Sequence, residues 1–111
     1  MPILRPQTLA ELDAALRGVS AVLEVSIPHC AMCESAESAL EKLSAYFPRV
    51  AFIQVNAASD AFEFLLDTRG IRTVPTLLFL CDGVELARDF GAVPTKVIRQ
   101  KIETYLSGGR T

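Results

Sequence analysis

Cys30 and Cys33 are separated by two residues in the run Ser26-Ile27-Pro28-His29-Cys30-Ala31-Met32-Cys33, where an apolar stretch gives way to a helix-forming one. Thiols three apart on one helical turn bring their Cα atoms to roughly 5–6 Å, within the range that a disulfide accepts. The first thiol would sit at the helix N-terminus, where free N–H groups and the macrodipole favour a thiolate. A dithiol so placed is suited to making and breaking a disulfide. Glu24 is the second candidate, an acid inside the apolar run Val22-Leu23-Glu24-Val25. An ionised side chain there bears a heavy desolvation cost, and such carboxylates cluster at functional sites. The alternative is an edge position from which the carboxylate reaches water.

His29, the single histidine, can help hold a Cys30 thiolate as a cation or hydrogen-bond donor, with Glu34 and Glu37 opposing it. It can equally be an exposed loop residue. Met32 offers a soft, polarizable contact for a substrate or an ordinary helix surface. Cys81 reads as a small hydrophobe packed in a strand, and Phe62, Phe64 and Phe79 read as core.

The elements that must position these residues follow from periodicity. Thr8-Leu9-Ala10-Glu11 is a capping box opening a helix with Leu9, Leu12 and Leu16 on one face and ending near Gly18. Ala21–Val25 and Val50–Val55 are mostly apolar, as strands covered on both faces should be. Between them Ala36, Ala39, Leu40, Leu43 and Phe47 fall at helical spacing, with Pro48 as the stop. Ser59 or Asp60 caps a short helix holding Phe62, Leu65 and Leu66, which Gly70 closes. Thr76–Cys81 is a third strand, and Asp82-Gly83 is a hairpin signal into Val84–Phe90. Pro94 suits the first turn of a last helix with Val97, Ile98, Ile102, Tyr105 and Leu106 inward. Strands alternating with helices, then a hairpin and a helix, imply a mixed sheet covered on both faces.

With 111 residues, half of them hydrophobic, the chain is long enough for one domain with a real core. It is read as a domain over 1–106 with a frayed tail at 107–111. A net charge of −2 without a basic patch argues against nucleic acid or an anionic membrane as partner. No apolar stretch approaches the roughly 18 residues that span a bilayer. Three cysteines are too few, and an odd number, for a disulfide-stapled secreted scaffold. The start lacks the pattern of a signal peptide, and the expectation is a soluble cytoplasmic protein.

Three features in this order resemble the thioredoxin family over nearly the whole chain. Cys30-Ala31-Met32-Cys33 follows a buried strand, Thr73-Val74-Pro75-Thr76 heads another, and Asp82-Gly83 turns the hairpin before Gly91. The resemblance implies an α/β thioredoxin-like fold, a central mixed five-stranded sheet flanked by four helices. It implies thiol–disulfide exchange as the activity, with Cys30 the exposed attacking thiol and Cys33 the buried resolving thiol. Glu24 falls where the family often has a buried acid near the resolving thiol. Val74, with Pro75 as a cis-proline, resembles the loop that packs beside the disulfide and pairs with extended substrate. His29, Ala31, Met32 and Gly91 complete the substrate-facing set. The chain departs from the family in having Ala-Met for Gly-Pro, His29 for the usual tryptophan, Glu34 where lysine often follows the second cysteine, and Phe52 where a lysine often accompanies the buried acid.

The reading is therefore an enzyme, a protein disulfide oxidoreductase working as a reductant. Its expected partners are disulfide-containing proteins and a separate reductase, and it is expected to be a monomer needing no cofactor or metal. The rival classes are a metal or iron–sulfur binder using Cys30 and Cys33, and a non-catalytic interaction module on the same fold. The first lacks a second ligand pair at zinc-site spacing.

Overall fold

Apolar residues that alternate between two covered faces decide the centre of the molecule. The computed structural model describes residues 3–107. Among them β1 (Ser20–Ser26) lies inside a four-stranded sheet between β2 (Val50–Asn56), which it pairs in parallel, and β3 (Thr76–Cys81), which it pairs antiparallel. β4 (Val84–Phe90) closes the order β2-β1-β3-β4 through an antiparallel ladder to β3.

The helices divide between the faces. α1 (Leu9–Leu16) and α3 (Glu63–Arg69), the latter led by a 3-10 turn at Asp60–Phe62, bring Leu12, Leu16, Phe62 and Leu65 onto Ala21, Leu23, Val25, Ile53, Leu78 and Leu80. α2 (Ala31–Ser44) and α4 (Thr95–Lys101), continued by a π-helical segment Ile102–Ser107, bring Ala39, Leu40, Leu43, Ile98 and Ile102 onto Val22, Phe52, Leu77 and Phe79. Capping is as the side chains demand. Thr8 accepts the Glu11 N–H at the start of α1, the Glu11 carboxylate accepts the Gln7 N–H, and Ser59 caps the 3-10 turn. Gly70, at φ +62, ends α3 in the left-handed conformation.

The thioredoxin-like α/β architecture and its four helices stand, but the sheet has four strands and not five. The missing strand is reduced to one residue. Leu4 donates to the Phe52 carbonyl at 2.8 Å and accepts from Gln54 N–H at 2.9 Å, an isolated parallel bridge on the β2 edge. The next rung needs an N–H from residue 6, and Pro6 has none.

Four smaller expectations also change. Phe64 is on the outward face of α3 and 66% exposed, because the inward positions of this short helix belong to Phe62 and Leu65. Cys81 is exposed, since it ends β3 at the hairpin turn beyond the helices that cover Leu77–Leu80. Tyr105 faces outward while Ile102 and Leu106 are buried. α2 stops at Ser44, ahead of Pro48, where the Ser44 hydroxyl donates to the Glu41 carbonyl. Of the expected tail, Ser107 belongs to the π-helical segment and 108–111 lie outside the described residues. No helix among the described residues is long and apolar enough to cross a membrane.

Candidate active site

The loop that follows β1 delivers Cys30 to the start of α2. His29 adopts φ +59, a left-handed conformation uncommon for a residue with a side chain. Cys30 then takes the N-cap position in extended conformation, and its Sγ accepts the Cys33 N–H at 3.2 Å. A sulfur so placed satisfies one of the free donors of the helix start and gains from the positive end of the dipole. Cys30 and Cys33 are joined as a disulfide with Cα atoms 5.2 Å apart. Cys30 is half-buried, whereas Cys33 is 3% exposed. Ala31 and Met32 occupy the first exposed turn between them.

A second loop meets this turn. Val74–Pro75 is a cis peptide, with Pro75 buried and Val74 half-buried against the α1/α3 side of the core. The Pro75 carbonyl accepts from the Gly91 N–H at 2.8 Å, and Thr76 Oγ1 donates to the Thr73 carbonyl at 2.7 Å. Gly91 sits at φ +70, and a Cβ added there would stand 3.2 Å from Met32 Cε. Gly91 is thus bonded to the Pro75 loop and leaves no free room for a Cβ on the side of Met32.

Glu24 is buried on the β1 face beneath α2, with no exposed surface. Burial is the main reason that its pKa is pushed up from 4.5 to about 7, helped by the Glu37 charge and opposed by a hydrogen bond from Gln54 and the charge of Arg5. Gln54 Nε2 donates to Glu24 Oε1 at 3.1 Å and to Glu37 Oε1 at 3.0 Å. Arg5 holds the far side, donating to Gln54 Oε1 and, at 2.6 Å, to Glu37 Oε2. These bonds from Arg5 and Gln54 hold the Glu37 carboxyl below its usual range. A polar groove of about 260 Å³, lined among others by His29, Cys33, Glu34, Glu37, Gln54 and Asn56, opens beside the disulfide.

Cys30, Cys33, Ala31, Met32, His29, Pro75 and Gly91 therefore surround one place, with Val74 in the adjoining loop. Glu24 is buried and not at an edge. Phe52, read as standing at a lysine's position, is buried in the core, and Gln54 two residues on meets the acid instead. Gln54, Glu37 and Arg5 were missed as a group. The available signal was a polar residue inside apolar β2, on the face of Val50 and Phe52, level with Glu24 in the strand register. Cys81 pairs with the first residue of β1, Ser20, whereas the dithiol follows its last, roughly 20 Å away at strand rise. It cannot join Cys30 and Cys33 around a metal. Among the described residues no group of three or more histidine, cysteine or acidic side chains is placed to hold one.

Known proteins share this fold. A chloroplastic M-type thioredoxin of Spinacia oleracea is 28% identical over 90 residues, 80% of this chain and 49% of that protein, so the chain spans about half the length of the curated relative it matches. A mutant thioredoxin of Halobacterium salinarum superposes with a TM-score of 0.82 at 25% identity, covering 94% of this chain and 90% of the other. Thioredoxin O2 of Arabidopsis thaliana in its oxidised state gives 0.80 at 22% identity, covering 93% of each chain. The thioredoxin family model matches residues 6–104, from beside the Leu4 bridge into the last helical segment, and on that match the chain belongs to the thioredoxin family.

Proposed function

We propose that the protein is a thiol–disulfide oxidoreductase that reduces protein disulfides. The observation that carries this reading is the asymmetry of the pair: Cys30 is reachable and caps a helix, while Cys33 is buried behind it. In the reduced protein the Cys30 thiolate attacks one sulfur of a substrate disulfide, and the other substrate sulfur leaves as a thiolate. Cys33 gives its proton to Glu24 and attacks Cys30 Sγ, so the second substrate sulfur leaves. Two electrons have passed to the substrate, and the Cys30–Cys33 disulfide remains for a separate reductase. During attack the extended substrate backbone lies along Val74, the Pro75 carbonyl being already bonded to Gly91. Ala31, Met32 and His29 form the rim that the substrate meets.

Local charge supports the reductant reading. Glu34 lines the groove beside the dithiol with no cation bonded to it among the described residues, Glu37 there is paired with Arg5, and His29 adds one imidazole. A thiolate less stabilised by its surroundings gives up electrons more readily, whereas a stabilised one makes an oxidant. The expected reduction potential lies near the value general for thioredoxins, about −270 mV, and a value near about −120 mV would overturn the reductant assignment. We place the protein, as a monomer, in a reducing compartment such as the cytoplasm, where its disulfide would cycle.

Trapping tests the division of labour. Cys33→Ser should accumulate mixed disulfides with extract proteins that collapse on adding dithiothreitol, and Cys30→Ser/Cys33→Ser should capture nothing. Capture by Cys30→Ser but not by Cys33→Ser would reverse the roles of the two thiols.

A further inference from the structure

Gln54 has one amide nitrogen with two hydrogens, and both are committed to carboxylates, those of Glu24 and Glu37. Its carbonyl oxygen faces the Arg5 guanidinium, whose other branch holds Glu37. Turning the amide over would set its oxygen against two carboxylates and its NH2 against a cation. Arg5 therefore decides which end of Gln54 Glu24 meets. The four side chains come from four segments, and Arg5 is brought by the strap that Leu4 pins to the β2 edge.

The consequence for Glu24 is electrostatic. Its Oε2 is buried with no hydrogen-bond partner among the described residues, which leaves Gln54 as the donor to its carboxylate there. A donor favours the ionised form, and the nearby Glu37 charge disfavours it. Arg5 supplies the first effect through Gln54 and offsets the second by pairing with Glu37. Of the other charged or titratable groups on the surrounding elements, Cys33 and Glu34 of α2 and His29 of the loop line the groove beside the disulfide, Asp89 and Lys101 pair between β4 and α4 at 2.9 Å, and Glu41 and Lys42 of α2 and Lys96 and Arg99 of α4 are exposed to solvent. The Asp89–Lys101 pair lies beyond Leu77 in the same cross-strand row, two strands or about 10 Å from Glu24.

We propose that Arg5 is a positioning residue for thiol exchange, clamping Gln54 and Glu37 so that Glu24 ionises at the pH where it must accept the Cys33 proton. The inference rests on the reading of Glu24 as that acceptor. Gln54 and Glu37 also line the groove that reaches Cys33, so the clamp borders the open space beside the buried thiol.

The test is the pH dependence of the release phase in single-turnover reduction of a fluorescent disulfide-linked peptide, from pH 5 to 9. Arg5→Met should raise the midpoint by about half a unit, a roughly threefold slower release on the acid limb. Glu37→Gln should lower it, because the opposing charge goes while an acceptor for Gln54 remains. Arg5→Lys should return the midpoint part of the way, keeping the charge without the two-pronged grip. An unmoved midpoint in Arg5→Met, with or without a lower plateau, would overturn the clamp while leaving Glu24 in place, provided Glu24→Gln flattens the profile. A profile unchanged by Glu24→Gln would overturn the underlying reading itself.

Discussion

Glu24 is a poor place for a charge, and its buried carboxyl exchanges a proton with its surroundings near neutral pH. Its pKa of about 7, against 4.5 ordinarily, means that ionisation opposes folding. The sign of the effect on stability follows directly. Below about pH 4.5 the group is protonated in both states and costs nothing, the penalty grows as pH rises towards 7, and above 7 it is fully present. Glu24→Gln should therefore stabilise the protein at pH 8 by about 2 kcal/mol, less than the full shift because the amide keeps an unpaired end. At pH 4 the gain should vanish, and chemical unfolding at the two pH values measures both. That an acid stood within an apolar run was readable from the chain. That it would be buried was the reading it favoured, and the structure bears this out, whereas the partners Gln54, Glu37 and Arg5 were not legible because they are long-range neighbours.

The loops that frame the dithiol show where spacing suffices and where it fails. Helix spacing placed Cys30 and Cys33 on one turn, and strand patterning found β1, β3 and β4, because each signal is local. The expected fifth strand is absent among the described residues, and where Leu4 bridges β2 the ladder stops for an equally local reason, the missing N–H of Pro6. Met32 was open between two readings, and it is exposed on the first turn of α2 with its Cε beside Gly91. Gly91→Ala should destabilise the fold by about 1 kcal/mol through the positive φ and also displace Met32. In Met32→Ala/Gly91→Ala the steric part should be relieved and the backbone part should remain, which a double-mutant cycle by thermal unfolding separates. On the opposite face of the sheet, Thr8→Ala should cost about 1 kcal/mol by leaving the Glu11 N–H without its cap. Peptide-exchange kinetics should be unchanged by that variant, since α1 packs on the opposite face from the Glu24 network.

The sheet order places the earliest strand at the centre and lets the latest ones enclose it. β1 pairs on one side with β2 and on the other with β3, which lies far along the chain. During synthesis the β3-facing edge of β1, apolar on both faces, stays open until Cys81 has left the ribosome. A fragment ending at Gly70 contains α1, β1, α2, β2 and α3, yet it has an unpaired strand edge where the finished protein has its interior. Such edges recruit other chains. The fragment should accordingly be found in aggregates or on chaperones, while one extended through Leu106 regains both ladders and the cover that Ile98, Ile102 and Leu106 give Leu77 and Phe79, and should stay dispersed. For a growing chain, the hairpin whose ends frame the disulfide is also the step that closes the sheet.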